Sequence, residues 1–110
     1  MGRKRRLAKY LYKVGEVDEA VKTIRECVQR QKEVIGEKHP DTLQSLFVMG
    51  EAVYQQGRVL EARAIFEDCF EKRIEMLGVS HPHTKKTKER LELVKKEKEE
   101  REEKVDEKVI

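Results

Sequence analysis

The sequence repeats itself after a shift of 42 residues, and no gap is needed to align the two copies. The recurring positions are Tyr12, Gly15, Val17, Glu19, Ala20, Cys27, Gly36, His39, Pro40 and Thr42, which return as Tyr54, Gly57, Val59, Glu61, Ala62, Cys69, Gly78, His81, Pro82 and Thr84. A fixed period in this range is typical of stacked repeat proteins, in which each unit buries its apolar face against the next. Such arrays commonly bind other proteins on an extended concave surface.

Apolar residues at helical spacing predict two helices in each copy, and therefore an all-α fold. The first helix is expected over about 3–14 and ends at Gly15, since glycine adopts a left-handed turn without strain. Asp18 is expected to cap the second helix. After the next loop, Asp41 or Thr42 is expected to cap the third.

The two units are expected at about 1–36 and 41–78, followed by a capping helix from about 83 that changes character. Lys85 and Lys88 stand where the second unit has leucines, and Leu91, Leu93 and Val94 are the clearly apolar residues that remain. A polar outer face is what a terminal repeat requires. We therefore expect a repeat domain over 1–94 and a charged, solvent-exposed helical tail over 95–110.

Composition narrows the function classes. Charged residues make up 43% of the 110 residues and aromatic residues 5%, which suits one domain of thin helices. No apolar run approaches the roughly 18 residues that span a bilayer. The glycines stand singly at helix ends, without a phosphate-binding loop, and no Ser or Cys has an evident base partner. We expect no enzymatic activity and no cofactor.

The cysteines and histidines favour a structural interpretation over a metal site. Cys27 and Cys69 fall within helices one repeat apart, whereas zinc needs four clustered ligands. Equivalent positions in stacked units are too far apart for a disulfide. We expect both to be small buried thiols in a reducing cytoplasm. The His-Pro pairs are interpreted as loop elements.

The N-terminus is basic, with no acid among residues 1–13, although the net charge is only +3. The cluster over 3–6 (RKRR) has three interpretations: a localisation or nucleic-acid patch, one wall of a peptide groove, or a solubilising start. Against nucleic acid, no aromatic residue is interleaved for base stacking. The groove interpretation is favoured, and a basic nucleic-acid-binding module or a structural spacer remains the alternative.

Several motifs resemble tetratricopeptide repeats of the 42-residue, kinesin-light-chain-like type. They are the loop 36–43 (GEKHPDTL), the turn 54–58 (YQQGR), the pair Glu61-Ala62 and the segment 72–78 (KRIEMLG). The resemblance covers residues 7 to about 94. It implies antiparallel helix pairs stacked into a right-handed superhelix, in which the first helix of each pair lines a peptide-binding groove.

Placed on this chain, the resemblance implies a groove built from three helices. Its peptide-binding residues would be Arg5, Arg6, Lys9, Tyr12, Lys13, Gln44, Phe47, Val48, Glu51, Tyr54, Gln55, Lys86 and Arg90. The function implied is a protein–protein scaffold or adaptor.

One departure from the family pattern concerns the recognition mode. The chain has Phe47-Val48 where the kinesin-light-chain-like repeats carry an asparagine pair, so an exposed apolar patch is expected in its place. With Tyr12 and Tyr54 these residues would anchor an acidic peptide. A clamp for a chaperone C-terminal carboxylate is less favoured, because Lys9 and Val48 replace its asparagines.

The number of repeats does not decide whether the chain self-associates or belongs to a longer array. Arrays generally need three or more units for stability, whereas this chain has two and a cap. Self-association and membership in a longer array are both compatible with that number.

Overall fold

The computed structural model describes the backbone of residues 2–109 and the side chains of residues 3–97. This part of the chain forms five α-helices and no strand. They are α1 (Gly2–Lys13), α2 (Val17–Val34), α3 (Pro40–Gln55), α4 (Val59–Leu77) and α5 (Pro82–Val109). Successive helices pack against one another, and α1 also contacts α3. The predicted all-α architecture of stacked helix pairs is confirmed.

Glycine makes the tight turn inside each helix pair. Gly15 and Gly57 have φ values of 92° and 91°, a conformation that L-residues with a Cβ rarely adopt. A Cβ at either position would meet no atom within 4 Å. The backbone conformation, and not crowding, therefore requires glycine here.

The predicted helix caps are wrong. Glu16 is the N-cap of α2 and makes no side-chain cap hydrogen bond, while Asp18 already lies inside the helix. The N-cap of α3 is His39, whose Nδ1 accepts a hydrogen bond from the Asp41 backbone N–H at 3.1 Å. Because Pro40 begins the helix and has no N–H, Asp41 offers the first donor that a cap can satisfy.

The same cap begins α5. His81 Nδ1 accepts from the His83 backbone N–H at 3.0 Å, and Pro82 is the first helical residue. The hydroxyl of Thr42 donates instead to the Gly36 carbonyl at 2.8 Å, which closes the preceding loop. The repeated His-Pro pair thus begins a helix, with the histidine as its cap and the proline as its first residue, and is not only a loop element.

The core runs continuously through the stack, from Ala8 and Ile24 to Leu91 and Val94. The helices of the second pair cross closely at Gly50, where an added Cβ would lie 2.7 Å from the Phe66 ring. The small residue predicted at this crossing is therefore required by packing.

The two cysteines occupy equivalent buried positions, as predicted. Cys27 Sγ lies 3.6 Å from Ser45 Oγ, and Cys69 Sγ donates to the Leu43 carbonyl at 3.5 Å. Burial raises the pKa of the Cys69 thiol to about 11. Both thiols therefore act as small packing residues between helices.

The fifth helix caps the stack. Leu91 and Val94 are buried against the second pair, whereas Lys85 and Lys88 face solvent. The helix runs without interruption past residue 94 to Val109. The solvent-exposed tail expected from the sequence lies largely in residues 98–110, whose side chains are outside the described part of the chain.

Candidate functional site

The first helices of the pairs, α1, α3 and α5, share one side of the stack, which we call the groove face. A chain of polar contacts crosses it. The Tyr12 hydroxyl donates to Glu51 Oε2 at 2.6 Å, and Arg90 Nε lies 3.5 Å from Glu51 Oε1. One residue from each of the three helices thus meets at Glu51.

Burial raises the pKa of the Tyr12 phenol well above its ordinary value, and the hydrogen bond to Glu51 raises it further. Tyr12 therefore stays protonated at physiological pH and acts as a fixed donor. One repeat later, the Tyr54 hydroxyl donates to Glu97 in the same manner. The recurring tyrosine joins each first helix to a later first helix.

A recess of about 220 Å³ opens on the groove face between α3 and α5. Five of the sequence-predicted site residues line it, namely Tyr12, Glu51, Tyr54, Gln55 and Arg90. Phe66, Leu93 and Val94 supply its apolar part. Leu93 is 47% exposed, so an apolar contact is available to a ligand in this recess.

Phe47 and Val48 do not form the exposed apolar patch expected from the sequence. They are 3% and 1% exposed. The Phe47 ring packs edge-on against Phe66, and the cationic groups of Arg73 and Lys86 lie 5.4 and 5.5 Å from its centroid. The side chain is buried because α4 and α5 both close over it, which the local sequence does not reveal.

Arg5 hydrogen-bonds to α3 and is therefore only partly available to a ligand on the groove face. Its Nη1 donates to the Asp41 carbonyl at 3.2 Å and to Ser45 Oγ at 3.4 Å. One repeat later, Arg73 Nη1 donates to the His83 carbonyl at 3.2 Å and to Thr87 Oγ1 at 2.9 Å. The acceptors are equivalent by the 42-residue shift, but the two guanidinium groups come from α1 and α4.

The remaining predicted site residues differ in whether another side chain already contacts them. Gln44 accepts a hydrogen bond from Arg73 Nη2 at 2.9 Å, and Lys86 lies over the Phe47 ring. Arg6, Lys9 and Lys13 form no ion pair with any side chain of residues 3–97. Among the predicted site residues on α1, these three are the cations that remain available for a ligand.

Sequence reasoning missed three parts of this face. Leu93 and Val94 were recognised as apolar but not as recess residues, and Phe66 was recognised only as a core residue. Their convergence depends on how α5 packs on α3 and α4, for which the sequence carries no local signal. Arg73 was missed as a buried hydrogen-bond centre, because its equivalent in the first unit is Gln31 and the repeat gives no signal there.

The described residues contain neither a candidate metal site nor a candidate membrane-spanning helix. Among the side chains of residues 3–97, no three His, Cys, Asp or Glu groups are arranged to hold a metal ion. Within the described part of the chain, no helix combines the length and the apolar character needed to cross a membrane.

Comparison with known families assigns the fold. A family model described as tetratricopeptide repeat matches residues 3–75, and the chain belongs to this family. Tetratricopeptide repeats are typically non-enzymatic scaffolds for protein–protein contacts.

Solved structures support the same fold. The chain is similar to a Podosopora anserina protein described as kinesin light chain nearly identical TPR-like repeats, with 23% identity and a TM-score of 0.82. A single-substitution variant of that protein matches with the same values. The match covers 89% of this chain and 46% of the other, so this chain spans about half its length. The comparison with curated proteins gives no match.

Proposed function

We propose that this chain is a scaffold or adaptor module that holds a peptide segment of a partner protein across its groove face. The observation that carries the proposal is the recess between α3 and α5. Its lining combines an apolar part with hydroxyl, carboxylate and guanidinium groups. Ligand sites are typically concave, with a few placed polar groups that fix orientation.

The peptide would place an apolar side chain against Leu93, the exposed apolar residue of the recess. This anchor replaces the Phe47-Val48 patch, which is buried. A few apolar contacts in such a pocket carry most of the binding energy in a typical interface.

The peptide would also carry acidic residues toward α1. Lys9 and Lys13 lie on the helix that supplies Tyr12 to the recess, and neither is engaged by an acid among residues 3–97. Charges at the rim of an interface mainly increase the association rate. We place this function in the cytoplasm, because two buried thiols suit a reducing compartment.

The experiment begins with a peptide library panned on the whole chain, followed by binding kinetics of a selected peptide. We expect Leu93→Ala to accelerate dissociation by about 5–30-fold, which corresponds to roughly 1–2 kcal/mol for a buried apolar contact. Leu60→Ala is the matched control, since Leu60 is 64% exposed and does not line the recess.

The charge contribution is measured separately. The double variant Lys9→Glu with Lys13→Glu should slow association and weaken its salt dependence. The control, Lys22→Glu with Lys32→Glu on α2, carries the same charge change and should alter neither. Equal effects of the two pairs, or selected peptides without acidic residues, would contradict the acidic part of the proposal. Tighter binding of RNA or DNA than of any peptide would favour the nucleic-acid alternative.

A further inference from the structure

We propose that the first two turns of α3 and α5, together with one arginine from α4, form a binding site for a phosphoryl anion. We call this site the basic cluster, and its residues are Gln44, Arg73, His83 and Lys86. None of the four lines the recess between α3 and α5. Binding of a phosphoryl anion at the cluster is therefore separate from binding of a peptide anchor in the recess.

Arg73 is the centre of the cluster and is a buried charge. It is 2% exposed. Its Nη1 donates to the His83 carbonyl and to Thr87 Oγ1, and its Nη2 donates to Gln44 Oε1. All of these acceptors are neutral, so the hydrogen bonds satisfy the guanidinium without offsetting its charge. An uncompensated buried charge is costly, and a bound anion would offset it.

Two further basic side chains border Arg73. The Lys86 ammonium lies 5.5 Å from the centroid of the Phe47 ring, and the Arg73 guanidinium lies 5.4 Å from the same centroid. His83 stands one turn before Lys86 on α5. Among the side chains of residues 3–97, no carboxylate forms an ion pair with Arg73, His83 or Lys86. The positive charge of the cluster therefore has no paired counter-charge in this part of the chain.

The pKa of His83 reflects this excess of positive charge. Burial lowers the pKa first, and the charges of Arg73, His81 and Lys86 lower it further. Burial also lowers the pKa of Arg73. Both shifts mean that an added positive charge is unfavourable at this place, which is the condition under which an anion is attracted.

The first unit shows that packing does not require these charges. One repeat earlier, the positions of the three basic residues are occupied by Gln31, Asp41 and Gln44. None of these is a cation, yet α2 packs on α3 there as α4 packs on α5 in the second unit. Positive charge that the fold does not need raises the local concentration of anions, which favours a binding function.

The available donors suit a tetrahedral dianion. Arg73 holds the Gln44 amide oxygen, so the amide nitrogen is left to donate to a ligand. Lys86 is exposed and provides an ammonium group, and a protonated His83 ring provides N–H donors. The charges of Arg73 and Lys86 together match the roughly two negative charges of a phosphoryl group, whereas a carboxylate carries one. The cluster is therefore assigned to phosphoryl groups.

The test is an NMR titration of the whole chain with inorganic phosphate at constant ionic strength. Chemical-shift changes should concentrate on the Gln44 side-chain amide, His83 and Lys86. Phosphate should also raise the pKa of His83, because a nearby anion favours the protonated ring. Shift changes spread over all exposed lysines and arginines, or a His83 titration that phosphate leaves unaltered, would overturn the proposal.

Variants that introduce the residues of the first unit test the contacts. Lys86→Gln should weaken phosphate affinity about tenfold, since one charge-assisted contact is lost. Adding His83→Asp should abolish measurable binding. Both side chains are exposed, so we expect the fold to be retained, which circular dichroism checks. Lys88→Gln is the matched control, because Lys88 is exposed on the same helix and the same charge is removed. Equal loss of affinity in Lys86→Gln and Lys88→Gln overturns the site.

Two further probes define the ligand. Acetate at the same ionic strength tests the chemistry, and acetate binding as tight as that of phosphate overturns the phosphoryl assignment. A glycine-flanked phosphoserine peptide distinguishes the source of the anion. Tighter binding of this peptide than of phosphate supports a phosphorylated side chain of a partner, whereas binding no tighter than phosphate supports a free anion. If the unphosphorylated peptide binds as tightly as the phosphorylated one, the proposal is wrong.

Discussion

At the scale of single residues, the repeat shows two solutions to one packing requirement. In both units a guanidinium group donates hydrogen bonds to a carbonyl and a hydroxyl near the start of the following first helix, but Arg5 supplies it from α1 and Arg73 from α4. At the position of Arg73, the first unit has Gln31, which is 1% exposed and whose amide has no hydrogen-bond partner among residues 3–97. Arg5 already donates to the equivalent acceptors in the first unit, so these acceptors do not depend on residue 31.

The buried thiols give a residue-scale prediction. Cys69 lies fully buried with a raised pKa, so little thiolate is present at neutral pH and reagent access requires opening of the fold. Thiol titration with a disulfide reagent at pH 8 should be slow in the native chain and fast in denaturant. The single variants Cys27→Ser and Cys69→Ser assign each phase. Rapid modification of both thiols in the native chain would contradict their buried placement.

At the scale of helices, the repeated His-Pro pair begins α3 and α5 in the same way. His39 and His81 accept a hydrogen bond through Nδ1 from the backbone N–H of the residue two positions later. Each histidine therefore satisfies the first free donor that follows the proline.

His83 lies beside the second cap. Burial lowers its pKa first, followed by the charges of Arg73, His81 and Lys86. A histidine whose folded-state pKa lies below 6.5 binds protons more readily when unfolded. Its contribution to stability is therefore complete above pH 6.5 and is lost as the pH falls from there through the folded-state value.

We predict that the free energy of unfolding falls between pH 7 and pH 5, measured by urea denaturation at both values. His83→Asn should reduce the pH dependence, while leaving the cap acceptor on His81 in place. A free energy of unfolding that is unchanged across this interval, or a pH dependence that His83→Asn leaves intact, would refute the assignment.

At the scale of the whole molecule, the stack ends differently at its two ends. The first unit presents half-exposed apolar residues, whereas α5 closes the second unit with buried Leu91 and Val94 under a basic outer surface. The last described contact of α5 with the stack is the hydrogen bond from Tyr54 to Glu97. Contacts of α5 with the stack therefore continue to Glu97, and the domain boundary expected at 94 stays a prediction.

Truncation tests this boundary. A chain ending at Glu97 should keep its melting temperature nearly unchanged. A chain ending at Val94 should lose about 1 kcal/mol, the value of one hydrogen bond, and should lose nothing further in a Tyr54→Phe background. Circular dichroism melts compare the full chain with the two truncated chains, each with and without Tyr54→Phe. A large drop on truncation at 97 would mean that the tail packs on the stack.

The sequence alone determined the period, the helix pairs and the turn glycines. These features depend on spacing along one helix or on the conformation of one residue, which are short-range properties. Tyr12, Glu51, Tyr54, Gln55 and Arg90, which the family resemblance placed on one face, line one recess, and their role in binding a peptide stays a prediction. Only the tertiary structure decided that Phe47 and Val48 are buried and that Leu93 joins Phe66 in a recess. Those outcomes depend on which neighbouring helix covers a side chain, and residues far apart in the sequence supply that cover.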